Sequence, residues 1–334
     1  KALDFYNKAL EIQEKVLGEE HTDTAASYNN IGNVYSNLGN YDKALDFYNK
    51  ALEIQEKVLG EEHTDTAVSY NNIGLICSYL GKYDEALEYH TQALEIRKKV
   101  LGEEHTDTAA SYNNIGNVYN NLGKYDEALE YHTQALKIRK KVLGEEHTDT
   151  AASYNNIGNV YNNLGKYDEA LEYHTQALKI RKKVLDEEHP DTANSYNNIG
   201  IVYYDLGKYE DALKYYKDAL KIQEKVLGEE HPDTATSYNN IGSAYCKLGK
   251  YNKALKNFTR ALQIQEKVLG EEHTDTAMTY HNIGSVDRKL GKYDEALEYY
   301  DKALKIFQSK LGSEHSYTKS VIENISLVKA KQKQ

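Results

Sequence analysis

The hexapeptide Ser-Tyr-Asn-Asn-Ile-Gly stands at Ser27–Gly32 and returns every 42 residues. Six further copies begin at Ser69, Ser111, Ser153, Ser195, Ser237 and Thr279, the last reading Thr-Tyr-His-Asn-Ile-Gly, and a degraded echo lies at Ile322-Glu323-Asn324-Ile325-Ser326. A fixed period of this size confines the chain to a stack of like units, each burying its apolar face only against its neighbours. A length of 334 residues alone would suggest two ordinary domains. A repeat array grows without dividing, so a single elongated domain over 1–334 is expected.

Each period contains two helical patterns. In the unit from Gly60 to Leu101, Tyr70, Ile73, Gly74, Cys77 and Leu80 recur at steps of three and four and make one apolar stripe, helix A, over about 66–80. Helix B begins near Tyr83, runs for about 18 residues, and carries Ala86, Leu87, His90, Ala93, Leu94, Val100 and Leu101 inward. Gly81 separates the two. The linker Gly-Glu-Glu-His-Thr/Pro-Asp marks each helix A start: Thr64 or Asp65 is expected to accept hydrogen bonds from the free first-turn amides. Pro190 and Pro232 take the Thr place in two units, where no amide partner is lost. Gly74 inside a helix costs about 1 kcal/mol relative to alanine, so close helix approach must offset it, with Ala86 and Ala93 as small partners.

The ends differ from the middle. Lys1–Leu17 matches only a second half, an orphan B helix, so the chain reads as a fragment of something longer. Seven A-B pairs follow over 23–311, and 316–331 is one more A-like helix that looks like a cap, with Ile325 and Val328 inward and Lys329, Lys331 and Lys333 complementing the negative helix end. The fold class is therefore all-α, sixteen helices in a right-handed superhelical solenoid. The units starting at Gly102 and Gly144 are identical over 42 residues, the trace of recent duplication or of consensus design. Drift grows toward the C-terminus, where Asp287 replaces Tyr119 and Tyr161 at a core-facing position. An unpaired buried acid costs several kcal/mol, so the seventh unit is expected to be loosened there, or Asp287 to reach Arg288, Lys289 or solvent.

The pattern Ile73-Gly74, Gly81, Tyr83, Ala86 and Ala93 resembles the tetratricopeptide repeat at its own internal spacings. The usual unit has about 34 residues; the longer B helix and the added Gly-Glu-Glu-His linker make this form similar to the repeats of kinesin light chains. That resemblance covers essentially the whole chain. It implies a concave groove, lined by A helices, that binds extended peptides, with asparagines bonding the peptide backbone. The matching positions are Asn30, Asn72, Asn114, Asn156, Asn198, Asn240 and Asn282, with Asn29, Asn71, Asn113, Asn155, Asn197 and Asn239 on the same polar side. The family's basic groove residues are few here, and no heptad coiled coil or motor-binding segment is visible.

The rest of the helix A polar face carries short amides and hydroxyls, among them Asn33, Ser36, Asn37, Asn117, Asn120, Asn121, Asn159, Asn162 and Asn163. Such groups donate and accept, so they suit the backbone of an extended chain whatever its side chains. They equally suit a structural ladder that fixes repeat register. Lys247, Arg288 and Lys289 replace asparagines near the end and would receive an acidic group of a ligand. Leu75, Tyr79, Ile201 and Tyr204 add apolar anchor points.

Other functions find little support. Eight histidines, from His21 to His315, sit in linkers 42 residues apart, and His90, His132 and His174 interchange with Tyr48, Tyr216 and Tyr300 on helix B, which marks packing residues rather than ligands. No metal or other cofactor is expected, and no nucleophile, base and orienting group assemble, so the chain is not read as an enzyme. Helical repeats of similar shape read RNA with paired polar residues, but such readers need cations, and the formal charge is -11. Neither nucleic acid nor an anionic membrane is an expected partner. Cys77 and Cys246 lie four repeats apart and are not expected to pair, which suits a reducing, cytoplasmic compartment. The glycosylation patterns Asn257-Phe258-Thr259 and Asn324-Ile325-Ser326 read as chance. The function expected is a non-catalytic interaction scaffold for a peptide or a flexible protein segment, monomeric or weakly associating end to end. The alternative is a structural spacer or self-associating array.

Overall fold

The computed structural model describes residues 2–332. Lys1 of the orphan helix and Lys333 of the cap lie outside the described residues. The described residues form sixteen α-helices, which pack as two compact units, Lys1–Lys166 and Tyr167–Gln334.

In the first unit a B helix, α1 (Ala2–Leu17), precedes three A-B pairs: α2 (Thr22–Asn37) with α3 (Tyr41–Val58), α4 (Thr64–Tyr79) with α5 (Tyr83–Leu101), and α6 (Thr106–Asn121) with α7 (Tyr125–Leu143). An A helix, α8 (Thr148–Asn163), follows. The second unit repeats this plan. The B helix α9 (Tyr167–Val184) is followed by α10 (Pro190–Asp205) with α11 (Tyr209–Val226), α12 (Pro232–Lys247) with α13 (Tyr251–Val268), and α14 (Thr274–Lys289) with α15 (Tyr293–Leu311), then by the A-type α16 (Ser316–Gln332). From α3 onward the B helices are the longer ones, at 18 or 19 residues against 16 for a repeat's A helix.

Helix A starts two residues before the expected position, and its cap is not the expected one. His63 is the N-cap, in extended conformation, and its Nδ1 accepts from the amide of Asp65 at 3.1 Å. The same bond recurs from His21 to His315. Thr64 and Asp65 are themselves first-turn residues, so the acceptor has to come from the residue before them. Two places on, Thr66 donates back to the carbonyl of Gly60 at 2.9 Å and closes the linker into a fixed loop.

The core is a line of alanine, isoleucine and ring contacts within each pair. Ala67 and Ala93 are completely buried against each other's helices beside Ile96, and Ile73 packs with Ala86. The helix A glycine faces a ring on helix B. A Cβ at Gly32 would stand 2.6 Å from the Tyr48 ring, and one at Gly116 would stand 2.8 Å from the imidazole of His132. Close approach thus accounts for a helical glycine that local propensity opposes.

At Asp287 the unit does not loosen. The residue is 5% exposed in the core of α14–α16, and its carboxyl is pushed above the usual range by burial and by Glu295, with Lys292 pulling the other way. The cation near it is Lys292, at the start of α15, rather than Arg288 or Lys289. Side chains one and two residues on along a helix point to other faces.

Candidate functional site

One line of side chains on every A helix points away from the packing. In α2 it is Asp23, Ala26, Asn30, Asn33 and Asn37, all exposed and spaced at three and four residues. The expected site residues on this line and its repeats are Asn30, Asn33, Asn72, Asn114, Asn117, Asn156, Asn159, Asn198, Asn240, Asn282, Lys247 and Lys289, each exposed or half-buried. Not all are free. The hydroxyl of Tyr48 donates to Asn33 Oδ1 at 2.7 Å, and Asn114 and Asn156 donate from Nδ2 to Asn71 (2.7 Å) and Asn113 (2.6 Å) of the preceding A helix.

The other asparagine of the motif belongs to the packing. Asn29 and Asn197 are each 8% exposed, and their amides bond the hydroxyls of Ser69 and Ser237 on the next A helix at 2.9 and 3.0 Å. Asn239 does the same with Thr279 at 2.8 Å. Asn71, Asn113, Asn155 and Asn239 are half-buried. The expectation that Asn29 and Asn197 face a ligand is therefore corrected: one residue before the exposed line, a side chain turns about 100° toward the neighbouring helix. Asn163 also donates to Asn120 at 3.0 Å, so a ladder of amides joins adjacent repeats.

Arg288 stands one residue before the exposed line. It is half-buried, its Nε is enclosed without a hydrogen-bond partner, and its charge helps burial to lower the pKa of His281. Lys289 stays on the exposed line, in register with Lys247 one repeat earlier and with Lys331 on α16. These three lysines form one row in the second unit. In the first unit the corresponding places hold Asn37, Tyr79, Asn121 and Asn163, and Tyr79 is 63% exposed and stacks on Tyr41 at 5.5 Å. Val68 and, in the second unit, Ile201 add apolar points on the same line.

A further layer escaped sequence reading. The serine of each motif is held by a residue of the preceding B helix: Gln55, Gln223 and Gln265 accept from Ser69, Ser237 and Thr279 at 2.6 Å, whereas Arg97, Arg139 and Arg181 donate to Ser111, Ser153 and Ser195 at 2.7–2.8 Å. Arg97 and Arg181 are only 8% exposed. The signal was present as a covariation, since Arg97, Arg139 and Arg181 follow His90, His132 and His174 by seven residues while Gln55 and Gln223 follow Tyr48 and Tyr216. These three histidines are 1% exposed, and burial first, then the neighbouring guanidinium, lowers each to a pKa of about 4. Among the described residues no group of three or more His, Cys, Asp or Glu could hold a metal ion. Cys77 and Cys246 are free thiols, both raised in pKa by burial.

The tetratricopeptide-repeat family model matches in eight overlapping windows from 1–57 to 275–334, so the matches tile the chain. The chain is a tetratricopeptide-repeat protein. Proteins of this family generally act as scaffolds for protein interactions and are generally non-catalytic. Among solved structures, a Podosopora anserina putative kinesin light chain with nearly identical repeats is 27% identical, with a TM-score of 0.52, over 62% of this chain and 99% of that one. BtubC from P. vanneervenii (23% identity, TM-score 0.58, 70% of this chain and 93% of that) and the apo form of RapI (19%, 0.63, 85% and 97%) share the fold. No curated protein matches the sequence. Among the described residues no helix is long and apolar enough to cross a membrane.

Proposed function

We propose that the protein is a non-catalytic scaffold whose exposed helix A line binds an extended peptide or a flexible segment of a protein partner. The observation that carries this reading is the line itself. Exposed Asn30 and Asn117 and half-buried Asn72 and Asn240 present amides at fixed intervals, beside the apolar points Val68, Leu75, Tyr79 and Ile201. Amides suit a backbone and apolar points suit anchor side chains. In the second unit the row Lys247, Lys289 and Lys331 favours a ligand carboxylate.

Selection of peptides on the whole chain, followed by Asn117→Ala and by Lys247→Glu with Lys289→Glu, tests the reading. We expect about tenfold weaker binding from the charge reversal for acidic peptides. Unchanged affinity for every selected peptide in all these variants overturns it.

A further inference from the structure

The tyrosine of the repeated motif meets a cation of the chain itself in every complete repeat except one. Lys50 Nζ lies 5.5 Å from the centroid of the Tyr28 ring, and Lys302 Nζ lies 5.6 Å from that of Tyr280. Arg260, at the same place on its B helix, lies close enough to Tyr238 for its charge to oppose the rise in that phenol's pKa. In the three repeats with Arg-Lys pairs the ammonium comes instead from the preceding B helix: Lys140 lies over Tyr154 at 5.9 Å, and Lys98 and Lys182, at the same place, interact electrostatically with Tyr112 and Tyr196.

Tyr70 is the exception. Gln92 stands where Lys50 and Lys302 stand, and Glu56 stands where Lys98 stands. The phenol donates to Glu56 at 2.5 Å, and burial with the carboxylates of Glu56 and Glu61 holds its pKa up. Beside the ring is a cavity of about 290 Å³ between the linker and α5, walled by Tyr70, floored by Ile96 and rimmed by Glu61, Glu62, Glu95 and Gln92. Lys99 at its edge is paired with Glu62. Gln92 is part of the lining, and its side-chain oxygen has no hydrogen-bond partner. An aromatic face, uncompensated carboxylates and an unused acceptor all favour the same thing, a group that is cationic and donates hydrogen bonds.

We propose that this cavity receives a lysine side chain from a partner polypeptide, its methylenes against Ile96 and Tyr70 and its ammonium between Gln92 Oε1, Glu61 and Glu95. The chain's own Lys50 and Lys302 show the pose. The site lies on the linker and helix B side of the repeat, away from the exposed asparagine line, and stands independently of that reading.

The test is methyl NMR of the whole chain labelled at isoleucine δ1, titrated with tetralysine and, separately, with spermidine. Ile54 and Ile306 line the corresponding cavities that already hold Lys50 and Lys302, and they serve as internal controls. The expected result is a saturable shift at Ile96, with affinity for tetralysine at least about tenfold tighter than at Ile54 or Ile306. It should be lost in Gln92→Lys, which recreates an arrangement that two other repeats tolerate. Equal shifts at all three isoleucines, no shift at Ile96, or an undiminished Ile96 response in Gln92→Lys overturns the site. Tighter binding of spermidine than of tetralysine overturns the polypeptide occupant in favour of a free polyamine.

Discussion

Arg97 donates from Nη1 to the hydroxyl oxygen of Ser111 at 2.7 Å, and this contact goes with a change in how the amide ladder of its repeat is made. Where glutamine holds the serine, as Gln55 holds Ser69, the hydroxyl proton points at the glutamine and the oxygen accepts from Asn29 of the previous A helix. Where arginine holds it, the guanidinium takes the oxygen, and Asn71 accepts instead from Asn114. A glutamine oxygen accepts from the hydroxyl whereas a guanidinium can only donate to it, so the exchange reverses the direction of the bond at the serine.

Arg97→Gln should therefore move the bond. We expect Ser111 to become the partner of Asn71 and Asn114 to be released toward solvent, with stability changed by no more than about 1 kcal/mol because one bond replaces another. A crystal structure of the variant checks the exchange, and a urea titration checks the stability.

Acid should unfold the Arg-bearing repeats first. His90, His132 and His174 have pKa values lowered from 6.5 to about 4, so the folded state holds them neutral while the unfolded chain takes up protons. Their contribution is complete above pH 6.5 and is lost as the pH falls toward 4, at about 2 kcal/mol per histidine by pH 5. Both ring nitrogens of His90 are buried without partners, and Arg97 repels a proton there, so the protonated ring gains nothing in place. His132→Phe, which copies the ring that Phe258 supplies at the same place in a later repeat, should flatten the pH 5–7 dependence by one site's share in denaturation curves.

Asp287→Tyr should stabilise the C-terminal repeats. The acid is buried with a raised pKa where Tyr119 and Tyr161 stand elsewhere. A raised carboxyl pKa means that the penalty is present above the folded pKa and vanishes as the pH drops below 3.8. We expect a gain of about 1–3 kcal/mol at pH 7, shrinking in acid, read from urea midpoints at the two pH values.

Asp186→Gly should help for a backbone reason. Asp186 has φ 103° at a linker position where Gly102 and Gly144 have φ 94° and 90°, and it is the only non-glycine residue with positive φ among the described residues. Its carboxylate accepts from the amide of Glu188, which recovers part of the strain. The net expectation is about 1 kcal/mol of stabilisation, visible as a higher melting temperature.

The period, both helices, the linker breaks and the inward glycine were legible in the sequence because each follows from local spacing. Ile31, Gly32 and their copies repeat at steps that only a helix satisfies, and glycine after each helix marks its stop whatever surrounds it. Which of Asn29 and Asn30 is buried was not legible. The two are adjacent, equally polar, and differ only by the turn that points one at Ser69 and the other outward. Residues 3–17 and 45–59 make the limit plain: one sequence, both helical, yet Tyr48 is enclosed and Tyr6 is not. Local interactions within the chain make the helix. Burial, hydrogen-bond partners and shifted pKa values depend on which neighbours arrive, and only the tertiary structure decides that.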